Sequence, residues 1–255
     1  MTLILILAAV AFVAGLVDAI AGGGGLLALP ALLIAGLDPV AALATNKLQG
    51  SFGTGSAVIA YARHRHIDFS ASRAMVATTF GGACLGVLAV RLAPTALLAG
   101  LMPILLIAMA LYFAVSPRLS DVDAHARIGI GRFAWTAAPA IGFYDGVFGP
   151  GAGSFYLLGF VTLLGYGAIR ASAHTKLLNF TSNIASLLVF ALSGKIVWAI
   201  GLAMGVGQFL GAQVGSRLAM KQGAKLIRPL LVVVCCAMAL KLLLDPTNPW
   251  RALFP

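Results

Sequence analysis

Long apolar runs separated by short polar segments follow one another along this 255-residue chain. A helix that crosses a bilayer needs about 20 mainly apolar residues. The runs that reach or approach that length are 2–20, 40–61, 72–92, 94–115, 132–148, 168–192, 197–219 and 226–244. Two apolar pieces, 26–36 and 154–164, are too short to cross alone. The pattern predicts an all-α integral membrane fold with eight long helices and two short broken or re-entrant helices.

Each short piece follows a glycine-rich break in the apolar pattern. The breaks are residues 22–25 (GGGG) and 149–153 (GPGAG). Consecutive glycines interrupt a helix because each costs about 1 kcal/mol relative to alanine. Unwound backbone at membrane depth is tolerated only against protein or a water-filled cavity. Taken alone, each break also fits a tight helix crossing that needs small residues, and the sequence leaves open whether the short pieces cross or re-enter the membrane.

The second half of the chain repeats the first. A shift of 129 residues superposes several pairs, among them Ala42 and Ala171, Lys47 and Lys176, Gly82 and Gly211, and Gly86 and Gly215. Upstream of the breaks the shift is 127 residues and superposes Asp18 on Asp145. We therefore expect a first transmembrane repeat over 1–115, a linker over 116–131 and a second transmembrane repeat over 132–255.

Composition excludes an ordinary cytosolic enzyme, a disordered protein and a free nucleic-acid binder. The chain is 61% hydrophobic and 9% charged, whereas soluble domains carry about 25% charged residues. Its net charge of +10 does not indicate a nucleic-acid partner, because the cations lie mostly in short segments between apolar runs. That distribution is typical of a multi-pass inner-membrane protein, with the lipid bilayer as its surroundings. The apolar faces are compatible with a homodimer.

Basic residues also indicate how the halves are oriented. The segment after 40–61 is basic, while its counterpart after 168–192 holds only Lys195. The next turn reverses this order, with Arg91 alone in the first half and a basic cluster in the second. If basic loops face the cytoplasm, the two repeats are inverted relative to each other. A parallel arrangement of eight helices fits the charges almost as well.

Polar side chains close to the breaks predict an anion site. A lysine inside a spanning run costs roughly 3 kcal/mol, so equivalent lysines at positions 47 and 176 favour two cations facing a shared cavity over two that snorkel to the surface. A helix that restarts after a break offers free N–H groups and its positive dipole end. The candidate substrate-binding residues are Gly23, Gly24, Gly25, Thr45, Asn46, Lys47, Gln49, Gly151, Gly153, Thr175, Lys176, Asn179 and Asn183.

The acidic pair Asp18 and Asp145 lies four residues before each break. Each aspartate could carry a coupling proton, or serve as the counter-ion of Lys47 or Lys176, or cap the broken helix. For His174, hydrogen-bonded packing is favoured over a proton relay. These three residues, Asp18, Asp145 and His174, are the candidate coupling groups for H⁺ or Na⁺. The sequence shows no metal or cofactor motif and no catalytic constellation, so we expect neither a cofactor nor an enzyme.

These motifs resemble the TauE/SafE sulfite exporter family. The resemblance is carried by residues 15–25 (GLVDAIAGGGG), 29–33 (LPALL) and 42–47 (ALATNK), and by a second copy over 142–153 and 171–176. It covers nearly the whole chain and points to the branch of probable membrane transporters. It implies an inner-membrane transporter whose substrates are sulfite, sulfonates and related organosulfur or organic anions. His174, Pro150 and Leu178 depart from the first copy and leave the particular anion open.

We therefore expect a secondary transporter of small anions that works by alternating access between the two repeats. An anion channel built from the same residues is an alternative that the sequence does not separate from a carrier. A membrane-embedded enzyme or assembly factor using His174, Ser182 and Ser186 is the less favoured alternative.

Overall fold

The structure is a computed structural model that describes residues 2–89, 111 and 120–244. Every regular element within these residues is an α-helix. The helices are α1 (Thr2–Ala21), α2 (Gly24–Ile34), α3 (Pro39–Arg63), α4 (Phe69–Ala89), α5 (Ile130–Trp135), α6 (Ala137–Val147), α7 (Ala152–Thr162), α8 (Ala168–Ala191), α9 (Trp198–Gln222) and α10 (Ala224–Leu244). The run 94–115 lies outside the described residues except for Leu111.

The predicted long helix over 132–148 is the one described run that the structure divides. It forms α5 and α6, which are separated at Thr136, where φ is −122° and ψ is −75°. Pro139 accounts for the break, because it has no N–H to donate to the carbonyl of Trp135 and its ring would crowd that carbonyl. In the first turn of α6, where backbone N–H groups have no helical partner, the proline is tolerated. The expectation of one unbroken helix here was wrong.

Both glycine-rich breaks are present and they touch each other. Gly22 (φ +82°) separates α1 from α2, and Gly149 (φ +89°) and Gly151 (φ +85°) separate α6 from α7. These left-handed conformations are open to glycine at little steric cost. A Cβ on Gly153 would lie 2.7 Å from the Cα of Gly22. The short helices α2 and α7 therefore begin at one point in the interior of the bundle.

Small residues allow the longest helix contacts. Helix α1 packs along α9, and α4 packs along α6. A Cβ would overlap a backbone carbonyl of the facing helix at Gly15, Gly82, Gly86, Gly142, Gly146, Gly207, Gly211 and Gly215. Small residues thus let these helices approach each other closely. Under the repeat that the sequence predicts, α1 corresponds to α6 and α4 to α9, so corresponding helices make corresponding contacts.

The described bundle exposes many large apolar side chains, and it buries polar side chains beside its apolar core clusters. Among its helices, α1 and α4 are long and apolar enough by composition to cross a membrane. Helices α3 and α8 have 25 and 24 residues, but their buried faces carry polar side chains. Large apolar side chains such as Leu5, Leu85 and Leu192 point outward. This distribution is the one expected of an integral membrane protein, whose outer surface meets lipid.

Candidate functional site

Two ion pairs inside the bundle join each half of the chain to the other. Lys47 on α3 places its Nζ 2.7 Å from Oδ1 of Asp145 on α6, and it also donates to the Asp145 backbone carbonyl. Lys176 on α8 places its Nζ 3.1 Å from Oδ2 of Asp18 on α1. All four side chains are buried. The lysines and the aspartates that the sequence singles out therefore neutralise one another in a crossed arrangement.

Hydrogen bonds hold both carboxylates in place. Gly24, at the start of α2, donates its backbone N–H to Oδ1 of Asp18 over 3.1 Å. The hydroxyl of Ser182 on α8 donates to Oδ2 of Asp145. Of the roles that the sequence leaves open for the aspartates, the structure shows that of counter-ion for both. Asp18 in addition caps the helix that restarts after the first break.

A small cavity of about 30 Å³ lies between the two breaks. Its walls come from α3, α8, α9 and both glycine-rich segments. The lining residues are Asp18, Gly22, Gly25, Asn46, Lys47, Gln49, Gly50, Thr54, Asp145, Gly149, Gly151, Gly153, Asn179, Asn183 and Gln208. This volume holds about two water molecules. The cavity is therefore smaller than an organic anion and would have to expand around one.

Carboxamide side chains dominate the rest of the cavity wall: Asn46, Gln49, Asn179, Asn183 and Gln208. Gln49 donates to the Asn46 Oδ1 over 2.7 Å. The Oε1 atoms of Gln49 and Gln208 are buried and have no hydrogen-bond partner in the part of the chain that the structure describes. Because a carboxamide carries both N–H donors and a carbonyl acceptor, these side chains could turn to donate to the oxygens of a bound anion.

Several predicted site residues lie outside the cavity wall. The hydroxyl of Thr45 accepts a hydrogen bond from the backbone N–H of Val197. The backbone N–H of Gly24 donates to Asp18. Gly23, Thr175 and Lys176 are buried but do not line the cavity, although the carboxylate that pairs with Lys176 does.

His174 lies apart from the cavity, near the loop between α3 and α4. Its Nδ1 is 2.9 Å from the carbonyl of Arg170, and its Nε2 accepts the backbone N–H of Asp68 over 3.3 Å. The ring also contacts the aromatic rings of Phe160 and Tyr166. This environment is the hydrogen-bonded packing that the sequence favours for this histidine.

Sequence reasoning missed five lining residues: Gly22, Gly50, Thr54, Gly149 and Gln208. Lys47, Gly50 and Thr54 recur at helical spacing and share one face of α3. Gly22 and Gly149 belong to the two recognised breaks, so four of the five carried a usable signal. Gln208 is different, because it lies on α9 among small residues with no neighbouring motif. Only the packing of α9 against α1 and α3 brings it to the cavity.

The linker is tied to the start of α8 outside the bundle interior. Asp123 accepts the backbone N–H of Gly167 over 2.7 Å and pairs with the guanidinium of Arg170. That guanidinium lies 3.8 Å above the ring of Tyr166. Burial alone would raise the pKa of Asp123, but the Gly167 N–H and Arg170 together lower it below its ordinary value.

A buried, charge-paired cavity where two broken helices meet is an arrangement typical of membrane transport proteins, and comparisons of the sequence show the same class. The sequence profile of the family Sulfite exporter TauE/SafE matches residues 7–242. The chain is thus a membrane transporter, and it belongs to the TauE/SafE sulfite exporter family.

Individual relatives agree with this assignment. The chain is 54% identical to the probable membrane transporter protein ORF9 of Sinorhizobium sp, with 94% of this chain and 92% of that protein covered. It is 50% identical to the probable membrane transporter protein YfcA of Escherichia coli K12, with 92% and 88% covered. A probable membrane transporter protein of Haemophilus influenzae is 42% identical, with 95% of each chain covered. No solved structure matches the chain.

Proposed function

We propose that this protein is a multi-pass secondary transporter of small anions in the bacterial inner membrane. The observation that carries the proposal is the pair of crossed Lys–Asp bridges at a cavity between two helix breaks. Membership of the family supports sulfite, sulfonates or related organosulfur or organic anions as the substrate class.

The groups around the cavity suit an oxyanion. Lys47 supplies a positive charge, and the carboxamides of Asn46, Asn179 and Asn183 supply hydrogen-bond donors. The starts of α2 and α7 add backbone N–H groups and the positive ends of two helix dipoles. Hydrogen bonds between charged partners are about twice as strong as neutral ones, so these groups together would replace the hydration shell of a small anion.

Transport requires the cavity to open alternately to the two sides of the membrane. The breaks contact each other at Gly22 and Gly153, and both ion pairs cross between the halves. Rocking one half against the other about these contacts would open the cavity on one side while it stays closed on the other. Two repeats in inverted orientation, as the basic loops favour, would make the two open states structurally similar.

Flux into proteoliposomes tests this proposal. The purified protein would be offered sulfite, sulfate, thiosulfate, sulfoacetate, taurine and small carboxylates, with protein-free liposomes as the background. We expect saturable uptake of one anion class and counterflow when the same anion is inside. The matched control is the Lys47→Met/Asp145→Asn variant, which removes both charges of one pair and leaves no unpaired ion.

The outcomes separate the competing functions. Saturable flux that the double variant loses supports a carrier. Conductance far above carrier turnover without counterflow would identify an anion channel. Folded wild-type protein that moves none of these anions would overturn the proposal, and chemical change of an offered anion would point to an enzyme.

A further inference from the structure

The two ion pairs at the cavity are not equivalent, and this inference rests on the proposed anion transport. Lys47 and Asp145 both line the cavity, whereas Lys176 does not. Asp145 accepts a hydrogen bond from the hydroxyl of Ser182. The position equivalent to Ser182 in the first half, at the shift of 129 residues, is Gly53, so Asp18 has no matching hydroxyl.

The partners of the two carboxylates differ in what they can do. A hydroxyl can donate to a carboxylate and can equally accept from a carboxylic acid, so Ser182 suits both protonation forms of Asp145. The backbone N–H of Gly24 can only donate, and donation to Asp18 favours the ionised form. The hydroxyl beside Asp145 therefore suits an exchange of a proton, whereas the N–H beside Asp18 suits only the carboxylate form.

Charge balance shows why a proton would be needed. The charges of the two ion pairs, Lys47–Asp145 and Lys176–Asp18, sum to zero. An anion that enters the cavity without a proton would therefore be a buried and uncompensated charge. Oδ1 of Asp145 already occupies the position 2.7 Å from Lys47 Nζ where an oxygen of the anion would bind. Lys47 gives two of its three N–H donors to Asp145, and its charge stays neutralised until this carboxylate gives up its own.

We propose that Asp145 is a built-in substitute for the substrate, and that it takes up one proton when a monoanion replaces it on Lys47. The proton forms an O–H bond on the carboxylate, which then donates to Ser182, while Lys47 stays an ammonium ion. The O–H bond that breaks is that of a hydronium ion in the adjoining solution, and the occupied cavity remains neutral. Net transport then carries one proton with each monoanion, and Lys176–Asp18 stays a structural pair.

The other charged groups on the helices around Asp145 are exposed or already paired, so the proton exchange involves Asp145 and Lys47. Tyr156 on α7 and Tyr144 on α6 are the remaining titratable side chains close to Asp145 in the described residues. Arg73 on α4 and Arg132 on α5 are exposed, and on α8 Arg170 pairs with Asp123 and Lys176 with Asp18. The remaining ionisable residue of α8, His174, is bonded to the Asp68 and Arg170 backbone.

Anion rescue of Asp145→Asn tests the proposal without measuring transport. This variant fixes residue 145 as neutral and leaves Lys47 with a free charge. In detergent, sodium methanesulfonate should raise the unfolding temperature of Asp145→Asn saturably, while sodium gluconate, too bulky for the cavity, should not. The Lys47→Met/Asp145→Asn and Asp18→Asn variants should show no such response. Equal responses of Asp145→Asn and either control would overturn the proposal.

Wild-type protein supplies a second measurement if Asp145→Asn does not fold. Methanesulfonate binding should take up one proton per protein from a weakly buffered solution containing a pH indicator. Linkage then requires the apparent affinity to fall about tenfold for each pH unit once Asp145 is ionised in the free protein. Absence of proton uptake would overturn the proposal. Anion flux without proton uptake would support the transport function and overturn only the role of Asp145. Rescue of Asp145→Asn by methanesulfonate without anion flux would support the role of Asp145 and overturn the transport function.

Discussion

Lys47 and Asp145 are 98 residues apart in the chain, and Lys47 Nζ meets Asp145 Oδ1 at 2.7 Å in the interior of the bundle. Withdrawing two charges from water costs several kcal/mol per ion. The bridge persists because the partners also bind Ser182 and the Asp145 carbonyl. This interaction joins the two halves of the chain across the cavity.

Removing one charge of this pair should be far more harmful than removing both. Lys47→Met leaves a buried, uncompensated carboxylate and should lower the free energy of unfolding by about 3–5 kcal/mol. Lys47→Met/Asp145→Asn should recover much of that loss. Thermal unfolding in detergent of the two single variants and the double variant measures the coupling. Additive effects of the two substitutions would show that the bridge does not form in the protein.

Neighbouring glycines on α4 should respond oppositely to alanine. Gly82 faces α6, where a Cβ would lie 3.0 Å from the carbonyl carbon of Pro139. Gly82→Ala should therefore destabilise the protein by about 1–3 kcal/mol through overpacking. Gly81 is exposed with nothing within 4 Å, so Gly81→Ala should be neutral or stabilising, since alanine favours a helix by about 1 kcal/mol. Unfolding temperatures in detergent compare them, and equal effects would contradict the packing of α4 on α6.

Gln208 should contribute to anion affinity rather than to stability. Its buried Oε1 has no partner within the described ranges, and its side chain lines the cavity. Gln208→Ala should raise the half-saturation concentration for the transported anion about tenfold or more, because a hydrogen bond to a charged group contributes about 1.5–3 kcal/mol. Concentration-dependent flux in proteoliposomes gives this value.

Gln213 on the same helix provides the matched control for Gln208. It donates to the backbone carbonyl and the hydroxyl of Ser56 and does not line the cavity. Gln213→Ala should cost about 1 kcal/mol of stability and leave the half-saturation concentration unchanged. If both substitutions weaken anion affinity equally, Gln208 acts through the packing of α9 and not by touching the anion.

Asp123 should make stability depend on pH in acid solution. The Gly167 N–H and Arg170 outweigh burial and hold its folded pKa below the ordinary value of 3.8. A lowered pKa means that the ionised carboxylate stabilises the fold above its unfolded pKa, and that this contribution is lost as the pH falls through the folded value. The unfolding temperature of wild type minus that of Asp123→Asn should therefore shrink below about pH 4. A difference independent of pH would exclude this role.

High salt should weaken the same contribution. The Arg170 and Asp123 side chains are 41% and 46% exposed, so solvent ions screen their attraction. The buried pair of Lys47 and Asp145 lies beyond that screening and should show little salt dependence. The unfolding temperatures of wild type and Asp123→Asn, and those of wild type and the Lys47 and Asp145 variants, would be compared at low and high ionic strength. The two comparisons separate surface from buried electrostatics.

The sequence determines the local features of this protein. Within the described residues, the long helices apart from 132–148, the breaks and the acidic and basic pairs can all be recognised from it, because helix periodicity and glycine runs act over a few residues. The division at Thr136 also had a local cause in Pro139, which the apolar pattern concealed. The family follows from the same local motifs around both breaks.

Only the tertiary structure decides which carboxylate meets which lysine. The sequence leaves Asp18 and Asp145 equally suited to Lys47, since it contains no information about how α1 and α6 are placed around α3. Helix packing through glycine contacts turns equivalent residues toward the opposite half, so the bridges cross. The same packing brings Gln208 to the cavity and leaves Thr45 and His174 outside it, because these positions depend on contacts between segments that are far apart in the chain.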